Sequence, residues 1–141
     1  AFKYEDFSDR IRMQKAIYLL ENMGVNIGQY NFVWYKHGPY SQRLQDEAYF
    51  SCPSKQTTVF SDFAHAKIQQ LKSYIKQGEN TGYSVQDWLE AIASLHFMID
   101  RKYIDGKDAL QKIKVVKPHL NNDVANKQAL IIAQEIKNAV Q

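Results

Sequence analysis

The sequence contains only one cysteine, three prolines and six glycines among its 141 residues. Cys52 has no second cysteine to pair with, so an intramolecular disulfide framework and a zinc site built from several thiolates are both excluded. The low glycine and proline content excludes collagen-like and low-complexity chains. No apolar run approaches the roughly 18 residues that a membrane-spanning helix needs, so we expect a cytoplasmic protein without a membrane partner.

The composition is that of a globular protein, with 45% hydrophobic, 13% aromatic and 23% charged residues. At roughly 100 to 200 residues per domain, this length predicts a single domain over residues 1–141. The net charge is only +3, which does not by itself imply a polyanionic partner. The first residue is Ala1 rather than methionine, which suggests that the sequence starts inside a longer chain.

Apolar residues recur every three or four positions along most of the chain, which predicts helices. The first helix is expected to start at a Ser8 cap and to end at Asn22. The strongest periodicity begins at Ser84 and continues to Tyr103, and we expect this helix to form the centre of the core. The other predicted helices run from Ser41 to Phe50, from Ser61 to Gly78, from Asp105 to Val116 and from Asn122 or Asp123 onwards.

One segment has the period of a strand. Large side chains alternate between the two sides of the chain from Gln29 to His37, which predicts a strand covered on both faces and ended by Gly38-Pro39. A second short strand from Thr57 to Phe60 is expected to pair with the first, as a hairpin or wing. The predicted fold class is therefore mainly α: a single globular domain of five or six helices with a small β-strand or hairpin element.

The four histidines are the first candidates for catalysis or metal binding, but their spacing matches no helix-borne zinc motif. His96 lies in the apolar stripe of the central helix and is interpreted as a hydrogen-bonded core residue, whereas His65 and His119 are interpreted as surface or helix-end residues. The sequence has no phosphate-binding glycine loop and no Gly-x-Ser-x-Gly nucleophile turn. We therefore predict no catalytic residue, no metal ligand and no cofactor.

One short stretch at the end of the predicted strand combines aromatic, basic and turn residues. Gly38, Pro39 and Ser41 have the residue types of a structural turn followed by a helix cap. A binding role is the alternative, because a turn that leads into a helix exposes backbone N–H groups that attract anions. The candidate partner-binding residues are Trp34, Tyr35, Lys36, His37, Tyr40 and Arg43.

A catalytic role for this stretch would need a cleft in which His37, Tyr40 and Arg43 converge. His37 would then act as the general acid or base of a small nuclease, because its unperturbed pKa lies near neutrality.

The second half of the chain carries the whole net charge of +3. Within residues 101–117, six basic side chains accompany two acids, and Lys107, Lys114 and Lys117 fall on roughly one side of the predicted helix. The default interpretation of these basic residues is a helix face exposed to solvent. The alternative is a surface that binds nucleic acid.

The first helix and the aromatic strand together resemble a known family. Met13-Gln14-Lys15 and Tyr18-Leu19-Leu20 lie on the helix, and the strand ends in the run from Trp34 to Ser41, with Leu44 after it. In these residues the chain is similar to the Panacea domain, also described as the SocA-type antitoxin-associated domain of bacteria and phages. The resemblance is clearest over residues 8–50.

The resemblance implies a mainly helical domain from a bacterium or a phage. It also implies a non-enzymatic protein-interaction module that neutralises a cognate toxin by direct binding, with no catalytic residues. Tyr40 stands where many members of the family have valine, which indicates a different branch.

An alternative function is that of a winged-helix-like DNA-binding regulator. The helix from Ser41 to Phe50 would then read the DNA, and the strand from Thr57 to Phe60 would lie beside the wing. Asp46 and Glu47 count against this hypothesis, since acids that face phosphates are costly.

Overall fold

Six helices and one β-hairpin make up the part of the chain that the structure describes. This computed structural model describes residues 6–51 and 61–139, with the backbone alone at residues 49–51. The predicted mainly α fold with a small β element is confirmed. The elements in chain order are α1 (Phe7–Asn22), β1 (Val33–Tyr35), β2 (Gly38–Tyr40), α2 (Gln42–Ser51), α3 (Asp62–Gln77), α4 (Val85–Asp100), α5 (Gly106–Val116) and α6 (Asp123–Ala139).

Most helices begin at the polar caps that the sequence predicts. The side chains of Ser61, Ser84 and Asp105 each accept a hydrogen bond from a backbone N–H group in the first turn of α3, α4 and α5, respectively. At the start of α2, Ser41 Oγ accepts a hydrogen bond of 3.2 Å from the N–H group of Leu44. These caps satisfy backbone donors that would otherwise lack a partner within the helix.

The cap predicted for α1 is wrong. Its N-cap is Asp6, whose carboxylate accepts a hydrogen bond of 3.2 Å from the N–H group of Asp9. Ser8 instead lies inside the first turn and donates a hydrogen bond to Gln86 of α4. The serine is used in a contact between helices, and the aspartate two residues earlier caps the helix.

The central helix of the fold is α4, which packs against α1, α5, α6 and the hairpin. Every residue from Trp88 to Ile99 is buried, so the helix is covered on all sides rather than along one stripe.

His96 is 1% exposed and its Nδ1 lies 2.7 Å from the Tyr18 hydroxyl, which confirms its place in the core. Tyr103, predicted to extend the buried stripe, lies beyond the end of α4 and is 89% exposed. None of the described helices is long and apolar enough to cross a membrane.

The hairpin forms from a shorter stretch of chain than predicted. β1 pairs with β2 in an antiparallel register that places Trp34 opposite Pro39, and Lys36 and His37 form the turn between them. Gly38-Pro39 therefore continues the sheet rather than ending it. This is possible because the described sheet has two strands, so Pro39 can use an edge where no N–H donor is needed. The predicted strand from Thr57 to Phe60 lies outside the described residues.

The prediction that both faces of the strand are covered is wrong. The half-buried Trp34 packs against Phe97 of α4, with ring centroids 5.7 Å apart. On the opposite face, Val33 and Tyr35 are 52% and 53% exposed. Because α4 lies on the Trp34 side, the hairpin presents its other face to solvent.

Candidate binding site at the hairpin corner

Two consecutive residues of α1 hold the second strand of the hairpin and the start of α2. Gln14 Nε2 donates to the Ser41 carbonyl oxygen over 2.9 Å, and the Ser41 N–H group donates to Gln14 Oε1 over 3.0 Å. Lys15 Nζ donates to the Pro39 carbonyl oxygen over 2.7 Å. The residues of α1 and of the hairpin that carry the family resemblance therefore contact each other directly.

Lys117, which follows α5, holds the first strand from another direction. Its Nζ donates to the Tyr35 carbonyl oxygen over 2.7 Å and also to the carbonyl oxygen of Lys36. The same ammonium group lies 4.8 Å from the centroid of the Trp34 ring, within the range of a cation–π contact.

The expectation of a solvated basic face is wrong for Lys117, which is only 4% exposed. Lys117 is the C-cap of α5 and has φ −132°, so its backbone has left the helix. Helical spacing therefore does not place its side chain beside those of Lys107 and Lys114.

A buried carboxylate lies behind the turn of the hairpin. Glu90 of α4 is fully buried. Its Oε1 lies 3.3 Å from His37 Nδ1, and its Oε2 lies 2.8 Å from His119 Nε2. A carboxylate removed from water needs hydrogen-bond donors or positive charge, and the two imidazoles meet this need. We refer to His37, Glu90 and His119 as the Glu90 cluster.

The charge of Glu90 also acts on the two lysines that hold the hairpin. Burial lowers the pKa of Lys15 to about 7, while Glu90 raises it and Lys117 lowers it further. Burial also lowers the pKa of Lys117, and Glu90 again acts in the opposite direction. Strongly perturbed ionisable groups gather at functional sites, so their presence marks this corner as a candidate.

Gly38 allows the hairpin to approach α4 closely. Its φ is +91°, and a Cβ atom at this position would lie 2.5 Å from Ser94 Oγ. Only glycine combines that backbone conformation with so close an approach. Ser94 Oγ itself is buried and has no hydrogen-bond partner among the residues that the structure describes.

A pocket of about 190 Å³ opens between α1 and the hairpin. Among the described residues that line it, three carry basic groups and none is acidic. The basic residues are Arg10, Lys15 and His37, and the others are Phe7, Ile11, Gln14, Tyr35, Tyr40 and Gln45. This mixture of basic and aromatic groups suits a small anionic side chain that is attached to an apolar surface.

The structure brings together only some of the predicted partner-binding residues. Tyr35, His37 and Tyr40 all line the pocket, whereas Trp34 packs inward against α4. The side chain of Lys36 is exposed at the turn. These residues form a continuous corner around the end of the hairpin.

Arg43 belongs to a different group of side chains. Its guanidinium carbon lies 4.4 Å from the centroid of the Tyr30 ring, and its Nη1 lies 3.5 Å from Glu47 Oε1. Because Arg43 does not line the pocket, it does not converge there with His37 and Tyr40. This pocket is therefore not the cleft of three converging residues that the nuclease hypothesis requires.

The two acids of α2 remain on its exposed surface. Asp46 accepts a hydrogen bond of 2.9 Å from Gln42, and Glu47 accepts one from the Tyr30 hydroxyl. Neither contact removes the negative charges from the helix that the DNA-binding hypothesis assigns to base reading. The strand assigned to the wing is not among the described residues.

Sequence reasoning missed Glu90, Ser94 and the inward turn of Lys117. One signal for Glu90 exists, because it is the single acidic residue in the buried run from Trp88 to Ile99. An acid inside a helix that is apolar all round must find a partner in the core, and that partner makes it a candidate site residue.

The chain matches no model of a protein family, no curated protein and no solved structure. The class that the fold defines is a mainly helical domain with one β-hairpin among the described residues.

Proposed function

We propose that this chain is a non-enzymatic protein-interaction module of the Panacea type, which neutralises a cognate toxin in the cytoplasm by direct binding. The observation that carries the proposal is the exposed aromatic face of the hairpin, held from behind by buried side chains. The resemblance over residues 8–50 suggests the antitoxin role. The contacts that hold the hairpin support a binding function at the same corner.

The outer face of the corner has the character of a binding surface. Tyr35 is 53% exposed and packs against Tyr40, with ring centroids 5.2 Å apart and the ring planes tilted by 33°. Phe7 at the start of α1 and Val33 of β1 are exposed to a similar extent. Exposed aromatic groups that lie close together are typical of residues that dominate the energy of protein interfaces.

The backbone beneath this surface is held in place before any partner binds. Lys15 and Lys117 donate to carbonyl groups of both strands, and Gln14 fixes the residue after β2. A surface that is already ordered loses less conformational entropy on association, so more of the contact energy contributes to affinity.

The pocket favours a partner that presents an acidic side chain. Arg10, Lys15 and His37 are the basic residues that line it, and Tyr35 and Tyr40 add aromatic rings. Charge complementarity of this kind selects among partners and accelerates their encounter. The toxin is therefore expected to insert an aspartate or glutamate beside an apolar patch.

The test uses the protein encoded by the neighbouring gene as the partner. Co-expression should suppress its toxicity, and the two chains should co-purify as a complex. In calorimetric titration, Tyr35→Ala and Tyr40→Ala should each raise the Kd by about tenfold or more. Val115→Ala on α5, where valine is 77% exposed, should leave the Kd within about twofold.

Two results would overturn the proposal. One is the absence of any complex or protection in the co-expression experiment. The other is a complex whose affinity is unaffected by both tyrosine substitutions. Specific binding to duplex DNA at low salt, in place of a protein complex, would favour the winged-helix alternative instead.

A further inference from the structure

We propose that the Glu90 cluster binds a divalent transition metal ion of the zinc type, with His37, Glu90 and His119 as its ligands. This inference goes beyond the proposed function, because toxin binding through the hairpin surface does not require a metal. It rests on three side chains that come from separate parts of the chain and bring potential ligand atoms within 4.8 Å of one another.

The spacing of these atoms is close to that of a metal site. One ligand atom from each residue can be chosen so that all three lie within 4.8 Å of one another. Bonds of about 2.0–2.1 Å around tetrahedral zinc place neighbouring donor atoms roughly 3.3 to 3.4 Å apart. The distance of 3.3 Å from Glu90 Oε1 to His37 Nδ1 equals this value, and that of 2.8 Å from Glu90 Oε2 to His119 Nε2 is shorter. A small movement of the two imidazoles would complete the geometry.

The types of ligand also fit such an ion. Two imidazole nitrogens and one carboxylate form a recurrent set at zinc and other first-row transition metal sites. Glu90 is fixed within the core, whereas the side chains of His37 and His119 are 33% and 42% exposed. The carboxylate therefore provides a rigid anionic ligand, and the exposed imidazoles leave a path by which an ion can enter.

The neighbouring lysines donate their hydrogen bonds to backbone carbonyl groups. Lys15 Nζ donates to the Pro39 carbonyl oxygen, and Lys117 Nζ donates to the carbonyl oxygens of Tyr35 and Lys36. The two oxygens of Glu90 instead face one histidine each. In the metal-free protein these contacts are hydrogen bonds, and an ion would replace them with coordinate bonds.

A bound ion would connect three elements at once. His37 lies in the turn of the hairpin, Glu90 lies on α4, and His119 lies between α5 and α6. Three protein ligands leave a coordination position that water or an added ligand can fill. The metal would thus cross-link the turn of the hairpin to α4.

The test is a calorimetric titration with ZnCl₂ at neutral pH. It uses untagged Cys52→Ser protein from which bound metal has been removed. Removal of the lone thiol prevents it from acting as an unrelated ligand. The expected result is one ion per chain, together with a rise in Tm. Titration with CoCl₂ should produce the visible absorption bands of cobalt bound to nitrogen and oxygen ligands.

Variants assign the ligands. His37→Asn and His119→Asn should each weaken zinc binding by at least about tenfold, and the double variant should abolish the stoichiometric site. His65→Asn, which replaces an exposed histidine of α3, should bind zinc like the parent protein. Circular dichroism checks that each variant is folded. These variants avoid the Glu90→Gln change, which disturbs a buried charge.

Two outcomes would overturn the metal proposal. The first is the absence of stoichiometric zinc and cobalt binding by the folded parent protein. The second is zinc binding that is unchanged in the folded double variant. Both leave the toxin-binding proposal intact, because that proposal is tested through Tyr35 and Tyr40 in the partner titration.

Discussion

Lys117 Nζ lies 2.7 Å from the carbonyl oxygen of Tyr35, a residue 82 positions earlier in the chain. This single amine connects the end of α5 to the first strand of the hairpin, and it reaches the next carbonyl group, that of Lys36, as well. The position of the exposed aromatic face therefore depends on a residue in the last quarter of the sequence.

Replacement of this amine tests how much it stabilises the corner. Lys117→Met keeps the apolar stem but leaves the two carbonyl groups without their donor, so the free energy of unfolding should fall by about 1 to 3 kcal/mol. Urea denaturation measures the change, and hydrogen exchange should show lost protection in β1 and β2. Lys112→Met, at an exposed position of α5, should change stability by less than about 0.5 kcal/mol. Equal effects of the two substitutions would contradict this role of Lys117.

The approach of Gly38 to Ser94 predicts a double-mutant cycle. Gly38→Ala combines backbone strain with a clash against Ser94 Oγ, and should cost about 2 to 4 kcal/mol. Ser94→Ala alone should be close to neutral, because the hydroxyl has no partner among the described residues. The double variant should recover at least about 0.5 kcal/mol of the loss.

Gly82→Ala provides the control for backbone strain. Gly82 has φ +93°, but the nearest atom to a Cβ there is Asn122 Nδ2 at 3.3 Å. This substitution should cost only about 1 to 2 kcal/mol, and Ser94→Ala should not relieve it. A Gly38→Ala loss that Ser94→Ala leaves unchanged would show that the clash contributes nothing.

His96 predicts a loss of stability in acid. Burial lowers its pKa from 6.5 to about 4 in the folded protein, so the unfolded chain takes up a proton at a higher pH than the folded protein does. The free energy of unfolding should therefore fall between pH 6.5 and pH 4, by up to about 1.4 kcal/mol per pH unit, and His96 should add no pH dependence above that range.

His96→Asn removes the titrating group and retains an acceptor for the Tyr18 hydroxyl. The difference in stability between this variant and the parent should change across the stated pH range in chemical denaturation. Val115→Ala, at an exposed position without a titrating group, serves as the control and should retain the slope of the parent. Parallel pH profiles for the parent and His96→Asn would refute the assignment.

The helices could be predicted because their signals are local. Ser61, Ser84 and Asp105 cap helices within a few residues of their own position, and apolar periodicity marks the length of each helix. The hairpin was harder, because Pro39 usually interrupts strands and its pairing with Trp34 depends on the sheet having an edge.

The candidate site could be predicted only in part. The stretch from Trp34 to Ser41 stands out by its residue types, so the sequence predicted the part of the candidate site that lies on the hairpin. The contacts of Glu90 with His37 and His119 span 53 and 29 residues of sequence, and no local pattern encodes them. Lys117 was misassigned for a different reason, because the end of α5 changes the direction of its side chain.

The way in which the hairpin is held limits what can be transplanted. Residues 8–50 carry the aromatic surface. The residues that contact the hairpin from behind come from the other half of the chain, and they include Glu90, Ser94 and Lys117. A graft of residues 8–50 onto another scaffold would transfer the side chains of the corner without its architecture. The corner is a property of the whole domain and is not portable as a peptide.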